Sequence, residues 1–374
     1  MIVLMQKEKL TIPEDVSAVV KKMNGAGFEA YPVGGCVRDL IRHEKPHDWD
    51  ITTSAKPEEI VTLFSDSFYE NKFLTVTVKT GSEDPALKEI EVTTYRAEGK
   101  YTDKRHPDEV RFAESLHEDL SRRDFTMNAM ALDAHDGEKI VDPFGGSEDI
   151  KKKLIRAVGD AEKRFDEDAL RMMRAVRLAA QLGFTIEEKT AEAIKKQAGT
   201  IRLIASERIR DEFSKIVMTS RAREGVELLH ALGLLKCIIP ELEEGIGVEN
   251  RPRIFTIWEH NLKAFAYGVK SDYSLDVRIA ALLHDAGKPR TKGPMKNGEW
   301  TFYGHDVVGG RMAAEILERL HYSRHQIEKI STLIRWHLFK YESEEETTDS
   351  SIRRLIRNVG AENMGDLVKL RICD

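Results

Sequence analysis

Between Pro13 and Gly25 the apolar residues Val16, Val19, Val20 and Met23 recur at helical spacing, with proline near the start and glycine at the end, so a helix is expected. FEAYPVGG reads as a short strand running into glycines, DWDITT as a second strand and KPEEIVTLF as another helix. In FLTVTVKT, Leu74, Val76 and Val78 alternate with threonines and a lysine. In EIEVTTYR, Ile90 and Val92 alternate with Glu91 and Thr93. This period of two gives each strand one buried face. AMALDA and KIVDPF flank the Asp-Gly turn His135-Asp136-Gly137-Glu138 and are expected to form a hairpin that closes a small mixed sheet near residue 145. After Gly145 and Gly146 the strand signals fade and helical composition dominates to residue 374, with GPMKNGEW at 293–300 as the one long loop signal. The expectation is an α+β protein with a mixed-sheet head over 1–150, a helical neck over 151–235 and a helical body over 236–374. The second boundary rests on Gly233, Pro240 and Pro252.

Length agrees with several domains, because 374 residues exceed what one hydrophobic core supports. With 41% hydrophobic and 33% charged residues the chain is neither disordered nor a membrane protein, and MIVLMQKEKL meets charge too early for a secretion signal. A cytoplasmic location and no membrane partner are expected. Cys36, Cys237 and Cys373 are odd in number and far apart, which suits reduced thiols rather than disulfides or a zinc site. The net charge of -6 is uneven: residues 151–230 carry 18 Lys and Arg against 13 Asp and Glu. A polyanion would sit there, although a solvated helical face has the same composition.

Asp48 and Asp50 stand two apart on an expected strand, so both point to one face and can share a divalent cation. Glu91 emerges on the non-core side of another strand, where a third carboxylate can join them. Mg2+ takes few carboxylates plus phosphate oxygens, and two such ions clamp an in-line phosphoryl displacement. An Asp-x-Asp pair also occurs in turns and on solvated strands, so its neighbours matter. Gly34 and Gly35 let backbone approach a triphosphate, a helix start offers free N–H groups, and Arg38 adds a fork for phosphate oxygens.

Over these twenty residues GGCVRDLIRHEKPHDWDITT resembles the first motif of the class II tRNA nucleotidyltransferases, the family of CCA-adding enzymes and related poly(A) polymerases. RAEGKYTDKRHPDEVRF resembles the family's flexible loop, with Arg96, Tyr101, Asp103, Arg105 and His106. EDLSRRDFTMNAMA is similar to its second motif, with Arg122, Arg123, Asp124 and Asn128, and FDEDALRMMRAVR to its base-reading motif. The resemblance implies a polymerase-beta-like head in which Asp48 and Asp50 hold Mg2+ and Glu91 supports them. It also implies that Gly34, Gly35, Arg38 and the second motif bind nucleotide, and that CMP and AMP pass from CTP and ATP to the tRNA 3′ end. An A-adding tRNA enzyme and a poly(A) polymerase remain open within the family, while the retained loop pattern argues against a CC-only enzyme.

On a helix Asp168 and Arg171 would share a face, with Arg174 beside them and Arg177 further round. Such a pair can be a plain surface ion pair. In the family it reads a base, a carboxylate accepting the exocyclic amine of C or A while guanidinium groups donate to ring acceptors. In ASERIRDEF, Arg208 and Arg210 can meet tRNA phosphate or merely pair with Glu207 and Asp211. IAALLHDAGKP sets an apolar run before His284 and Asp285, and His260, His305 and His337 follow the spacing of an HD-type phosphohydrolase domain, with Asp374 as its closing carboxylate. Imidazoles mixed with carboxylates suit Mn, Fe, Co, Ni or Zn better than Mg. A metal-dependent phosphohydrolase is therefore the alternative from another class. Relatives continue past a KLRICD-like segment into helices that grip the tRNA elbow, whereas this sequence stops at Asp374; the transfer chemistry is expected without that tail.

Overall fold

The computed structural model describes residues 10–70, 75–97, 111–133, 139–251, 254–339 and 348–374. Backbone packing divides the chain into two compact units, the first running to Arg171 with Thr185–Ala193, the second comprising Met172–Phe184 and Ile194–Asp374.

The first unit opens with α1 (Glu14–Gly25), which buries Val16, Val19, Val20 and Met23 as its spacing requires. There follow β1 (Ala30–Pro32), α2 (Gly35–Ile41), β2 (Asp50–Thr53), α3 (Pro57–Leu63), β3 (Ser67–Glu70), β4 (Thr75–Lys79) and β5 (Glu89–Thr94). The strands form one mixed sheet in the order β1-β2-β5-β4-β3. β2 and β5 are parallel, while the other neighbours are antiparallel. Register sorts the faces: Ile51, Val92 and Val76 lie in one buried row, and Asp50, Glu91 and Thr77 in the next row on the opposite face. Each of the fully buried Ile51, Ile90 and Val92 contributes about 1.5–3 kcal/mol by leaving water.

Several expectations need correction. Asp48 lies in a bend before β2 rather than on the strand, so strand alternation does not aim it. β3, a strand not expected from the sequence, is the edge strand of the sheet. β4 is buried on both faces, because Thr75 and Thr77 are covered as well as Val76 and Val78, and the Thr75 hydroxyl is satisfied by that of Thr93 at 3.0 Å. Leu74 lies outside the described residues. The expected hairpin is present as β8 (Ala131–Asp133) with β9 (Lys139–Val141), after the short pair β6 (Arg96–Ala97) and β7 (Arg111–Phe112) and helix α4 (Leu116–Ser121). It is a separate ladder, joined to the sheet's edge by a bridge between Val33 and Ala131. Its turn, His135 to Glu138, lies outside the described residues, as do Tyr101, Asp103, Arg105 and His106 of the loop. Next come α5 (Gly146–Lys151), β10 (Leu154–Ile155), α6 (Ala161–Glu167), α7 (Leu170–Leu182) and β11 (Thr185–Ile186), with β10 and β11 paired in parallel.

Helices α8 (Glu188–Gln197), α9 (Ser206–Val217), α10 (Ala222–Ala231), α11 (Leu235–Ile238) and α12 (Pro240–Glu243) lead to β12 (Glu249–Arg251) and β13 (Phe255–Thr256). The body then runs through α13 (Ile257–Lys270), α14 (Leu275–Leu283), α15 (Lys288–Thr291), β14 (Met295–Lys296), β15 (Glu299–Trp300), α16 (His305–Arg319), α17 (Arg324–Trp336), α18 (Asp349–Val359) and α19 (Met364–Cys373). The stretch GPMKNGEW is a β14–β15 hairpin rather than a plain loop. Asn297 and Gly298 both have positive φ, 49° and 82°, which is what a two-residue hairpin turn needs. No helix among the described residues is long and apolar enough to cross a membrane.

Candidate active site and histidine–aspartate centre

In the head, the chain turns from β1 into α2 through Gly34, whose φ of 84° is open to glycine at little cost. A side chain there would also lack room, since a Cβ would lie 3.0 Å from Arg123 Nη1 and 3.8 Å from Asp50 Oδ2. Gly34→Ala is expected to cost about 1–2 kcal/mol of stability and to push Arg123 off the carboxylate, lowering turnover more than the loss of folded protein explains. Thermal melts and turnover measured side by side check this.

Asp50 is half-buried beside the exposed Asp48, and its ladder neighbour across β2–β5 is Glu91. Burial, then the charge of Asp48, push its pKa up to about 6; Arg123 pulls it down and Glu91 adds a smaller upward push. Three carboxylates and one guanidinium therefore share a field with an unmet demand for positive charge. Arg123 reaches this position from Asp119, at the buried end of α4. The Asp119 carboxylate receives Arg122 at 2.7 Å, Arg123 at 3.4 Å, the Thr52 hydroxyl at 3.1 Å and the Arg96 backbone N–H at 3.1 Å. Burial alone would raise its pKa, but the two arginines hold it below the usual carboxylate range. Sequence reasoning missed this hub, although a carboxylate three and four positions before two arginines on a helix was the available signal.

Arg38 differs from the free fork expected of it. Its Nε and Nη2 lie 2.9 Å from the two oxygens of Asp39, and Nη1 donates to Asn128 Oδ1 at 3.1 Å. Asn128 in turn donates to Asp124 Oδ1 at 3.3 Å, so Arg38, Asn128 and Asp124 form one buried chain. Gly35 follows at the first turn of α2.

Asp168 is not on a helical face with Arg171. It sits between α6 and α7 in extended conformation and accepts the Leu170 N–H at 3.0 Å, the position that short polar side chains favour at helix starts. Arg171, on α7, donates to Glu167 at 2.6 Å and to the Arg122 carbonyl at 3.1 Å. Arg174 and Arg177 follow on later turns, Arg177 lying 2.8 Å from Glu212. In α9, Arg210 lies 2.8 Å from Asp211 and donates to the His321 carbonyl, while Glu207 is taken by His321.

The second unit brings together all six histidine and aspartate positions. From Val277 on, α14 is buried, its one buried charge Arg278 satisfied by Asp272 and the Tyr273 and Val217 carbonyls, and the helix delivers His284 and Asp285 at its C-terminal end into the interior. His260 comes from the first turns of α13, whose start is fixed by the Thr256–Glu259 capping box. His305 opens α16, His337 caps α17 and Asp374 ends α19. Gly287 permits this convergence, since a Cβ there would stand 2.4 Å from the His305 carbonyl. Among the described residues two groups gather with ligand atoms within 4.8 Å: His260, His284, Asp285 and Asp374, and Asp285 with His305 and His337.

Tautomers follow from backbone partners. The Nδ1 atoms of His284, His305 and His337 lie 2.9, 2.7 and 2.6 Å from the carbonyls of Ala281, Phe302 and Ile334, so each is an N–H donor. In the neutral rings Nε2 then carries a lone pair. His305 Nε2 faces Asp285 Oδ1 at 3.3 Å and His337 Nε2 faces it at 3.7 Å, all three atoms buried without a hydrogen bond. Acceptor facing acceptor in a dry interior calls for a cation between them. Burial keeps His337 neutral by pushing its pKa down to about 4. Lys288 Nζ, 2.5 Å from Asp285 Oδ2, is the nearby cation of the protein itself.

The model of the poly(A) polymerase head domain matches residues 30–156, that of a probable RNA and SrmB-binding site of polymerase A matches 183–246, and that of the HD domain 257–364. A CCA-adding enzyme of Lactobacillus helveticus is 51% identical over 211 residues, covering 56% of this chain and 51% of that protein. One from Limosilactobacillus reuteri is 43% identical over 269 residues, covering 70% and 64%. The chain spans about half the length of the first of these relatives. The Bacillus stearothermophilus CCA-adding enzyme, solved in complex with CTP, matches with a TM-score of 0.68 and 27% identity over 97% of this chain and 78% of that one. With a head, an RNA-binding segment and an HD region in this order, the chain belongs to the family of class II tRNA nucleotidyltransferases and poly(A) polymerases.

Proposed function

We propose that this chain adds CMP and AMP to the 3′ end of tRNA from CTP and ATP, releasing pyrophosphate. The observation that carries the reading is the open face of β2 and β5, where Asp50 stands across from Glu91, with Asp48 just before it and Arg123 against Gly34. The donors are all oxygens, which fits Mg2+, and Asp48 and Asp50 would hold it. When bound, such ions neutralise triphosphate charge and favour the ionised hydroxyl. The tRNA 3′-hydroxyl oxygen forms a bond to the α-phosphorus as the bond from that phosphorus to the β-phosphate oxygen breaks, and pyrophosphate departs. Arg122 and Arg123, held by Asp119, would steady the negative charge of the leaving group. By the family resemblance Asp168 and Arg171 would read the edges of C and A, and for this Arg171 would have to exchange Glu167 and the Arg122 carbonyl for the base. Transfer of labelled CMP to tRNA lacking its terminal CCA, abolished by chelator and restored by Mg2+, tests the assignment.

A second reading concerns the histidine–aspartate centre, favoured by its buried acceptor atoms without hydrogen bonds. His260, His284, Asp285 and Asp374 would hold one transition-metal ion and Asp285, His305 and His337 a second, with Asp285 shared. Such ions supply Lewis acidity for phosphoester hydrolysis. Mn2+ or Co2+ at a hundredfold excess over its dissociation constant should stabilise the protein by about 2.7 kcal/mol, several degrees in melting temperature. The shift should persist in Asp50→Ala and vanish in Asp285→Ala; its persistence in Asp285→Ala would remove the centre as the binding site.

A further inference from the structure

Residues 288–303, KPRTKGPMKNGEWTFY, combine four Lys and Arg with one Glu and three aromatic residues. The β14–β15 hairpin sets them in pairs: Lys288 Nζ lies 5.4 Å from the Phe302 ring centre, Lys292 Nζ 3.9 Å from that of Trp300, and Lys296 Nζ 5.3 Å from that of Tyr303. Lys292 and Lys296 keep their charge, because ring faces attract an ammonium without neutralising it, whereas Lys288 is paired with Asp285 and Asn250. Arg290 is spent on Glu244, and the Trp300 indole N–H is anchored on Glu249 at 3.0 Å, which fixes the ring plane. Tyr303 is 75% exposed, far more than a tyrosine that serves packing. The row ends at the histidine–aspartate centre, where Lys288 meets Asp285 and the Phe302 carbonyl holds His305.

A row of cations paired with ring faces offers both of the partners that a chain of phosphates and bases needs. We propose that this hairpin is a binding surface for single-stranded nucleic acid, with bases stacked on Tyr303 and Phe302 and phosphates on Lys292 and Lys296, its inner end directed to Lys288. The surface is separate from the nucleotide site of the head and does not depend on the proposed transfer activity. An acidic peptide would use the lysines but leave the exposed Tyr303 ring without a partner, so nucleic acid is the better fit.

The test uses the full chain and a fluorescein-labelled adenosine dodecamer, titrated at several salt concentrations. Tyr303→Ala should weaken binding about tenfold, and Tyr303→Phe, which keeps the ring, should leave it nearly unchanged. Lys292→Ala with Lys296→Ala should lower the slope of log affinity against log salt by about 1.4. Unchanged affinity and slope in these variants would overturn the proposal, as would polyglutamate displacing the dodecamer from the hairpin as well as unlabelled RNA does. CMP transfer measured on the same variants separates the two claims: binding lost with transfer intact supports the hairpin surface, whereas transfer absent with hairpin-dependent binding present would count against the head reading alone.

Discussion

Asp50→Asn is expected to reduce nucleotide incorporation by about 10³-fold or more while making the metal-free protein more stable. The first effect follows from removing the carboxylate at the centre of the Asp48, Glu91 and Arg123 field. Several kcal/mol of charge stabilisation depend on it, at tenfold in rate per about 1.4 kcal/mol. The second follows from the sign of its pKa shift. Folding raises Asp50 to about 6, above the usual carboxylate value near 3.9, so the folded state tolerates the charged form poorly. The resulting penalty is absent below about pH 4, grows as pH rises and is complete above about pH 6. Asp50→Asn imitates the protonated form, so it should gain about 1–2 kcal/mol at pH 7.5 after screening is allowed for, and nothing at pH 4. Denaturant unfolding in chelator at the two pH values reads this directly. A variant that is inactive and less stable at pH 7.5 would mean that Asp50 is structural.

Asp119→Ala should be the most destabilising single change in the head, by about 3–5 kcal/mol, because it leaves the Arg122 and Arg123 guanidiniums beside a buried void without their carboxylate. Thr52 on β2 and the Arg96 backbone lose the same partner. Asp119→Asn keeps the shape and some hydrogen bonds, so it should fold, yet release Arg123 from its place beside Asp50. The expected result is a large loss of soluble, cooperative folding for alanine. For asparagine, a raised KM for nucleoside triphosphate is expected with a milder loss of stability. Equal, small effects for both would show that Asp119 is not the hub that sets the arginines.

The head was legible in the sequence to the extent that alternation carried it. Ile90 and Val92 against Glu91 mark the two faces of β5 in the sequence itself, and the non-core face carries Asp50 and Glu91. Asp48 was misplaced on the strand because strand ends are set by where pairing begins, and the ladder starts at Asp50 with Glu91. Asp168 was read as helical because spacing alone does not separate a helix start from its interior; the preference of aspartate for capping was the overlooked cue. Asp119 stayed hidden for a different reason. A carboxylate on a short polar helix looks solvated, and only the tertiary approach of β2 and Arg96 buries it. The six positions of the histidine–aspartate centre were readable as a set, whereas their delivery by helix ends, and the acceptor atoms facing one another, arise from long-range packing that no local pattern records.

The most direct test of the central claim is incorporation of labelled CTP and ATP, singly and together, into tRNA ending at the discriminator base, at C and at CC, resolved on a sequencing gel with Mg2+ present. C, C, A and then a stop is the expected result, with ATP alone extending only the CC end. ATP incorporation confined to the CC end even with CTP present would make the protein an A-adding enzyme, and a long A ladder a poly(A) polymerase. No incorporation on any end by the folded protein would contradict the account.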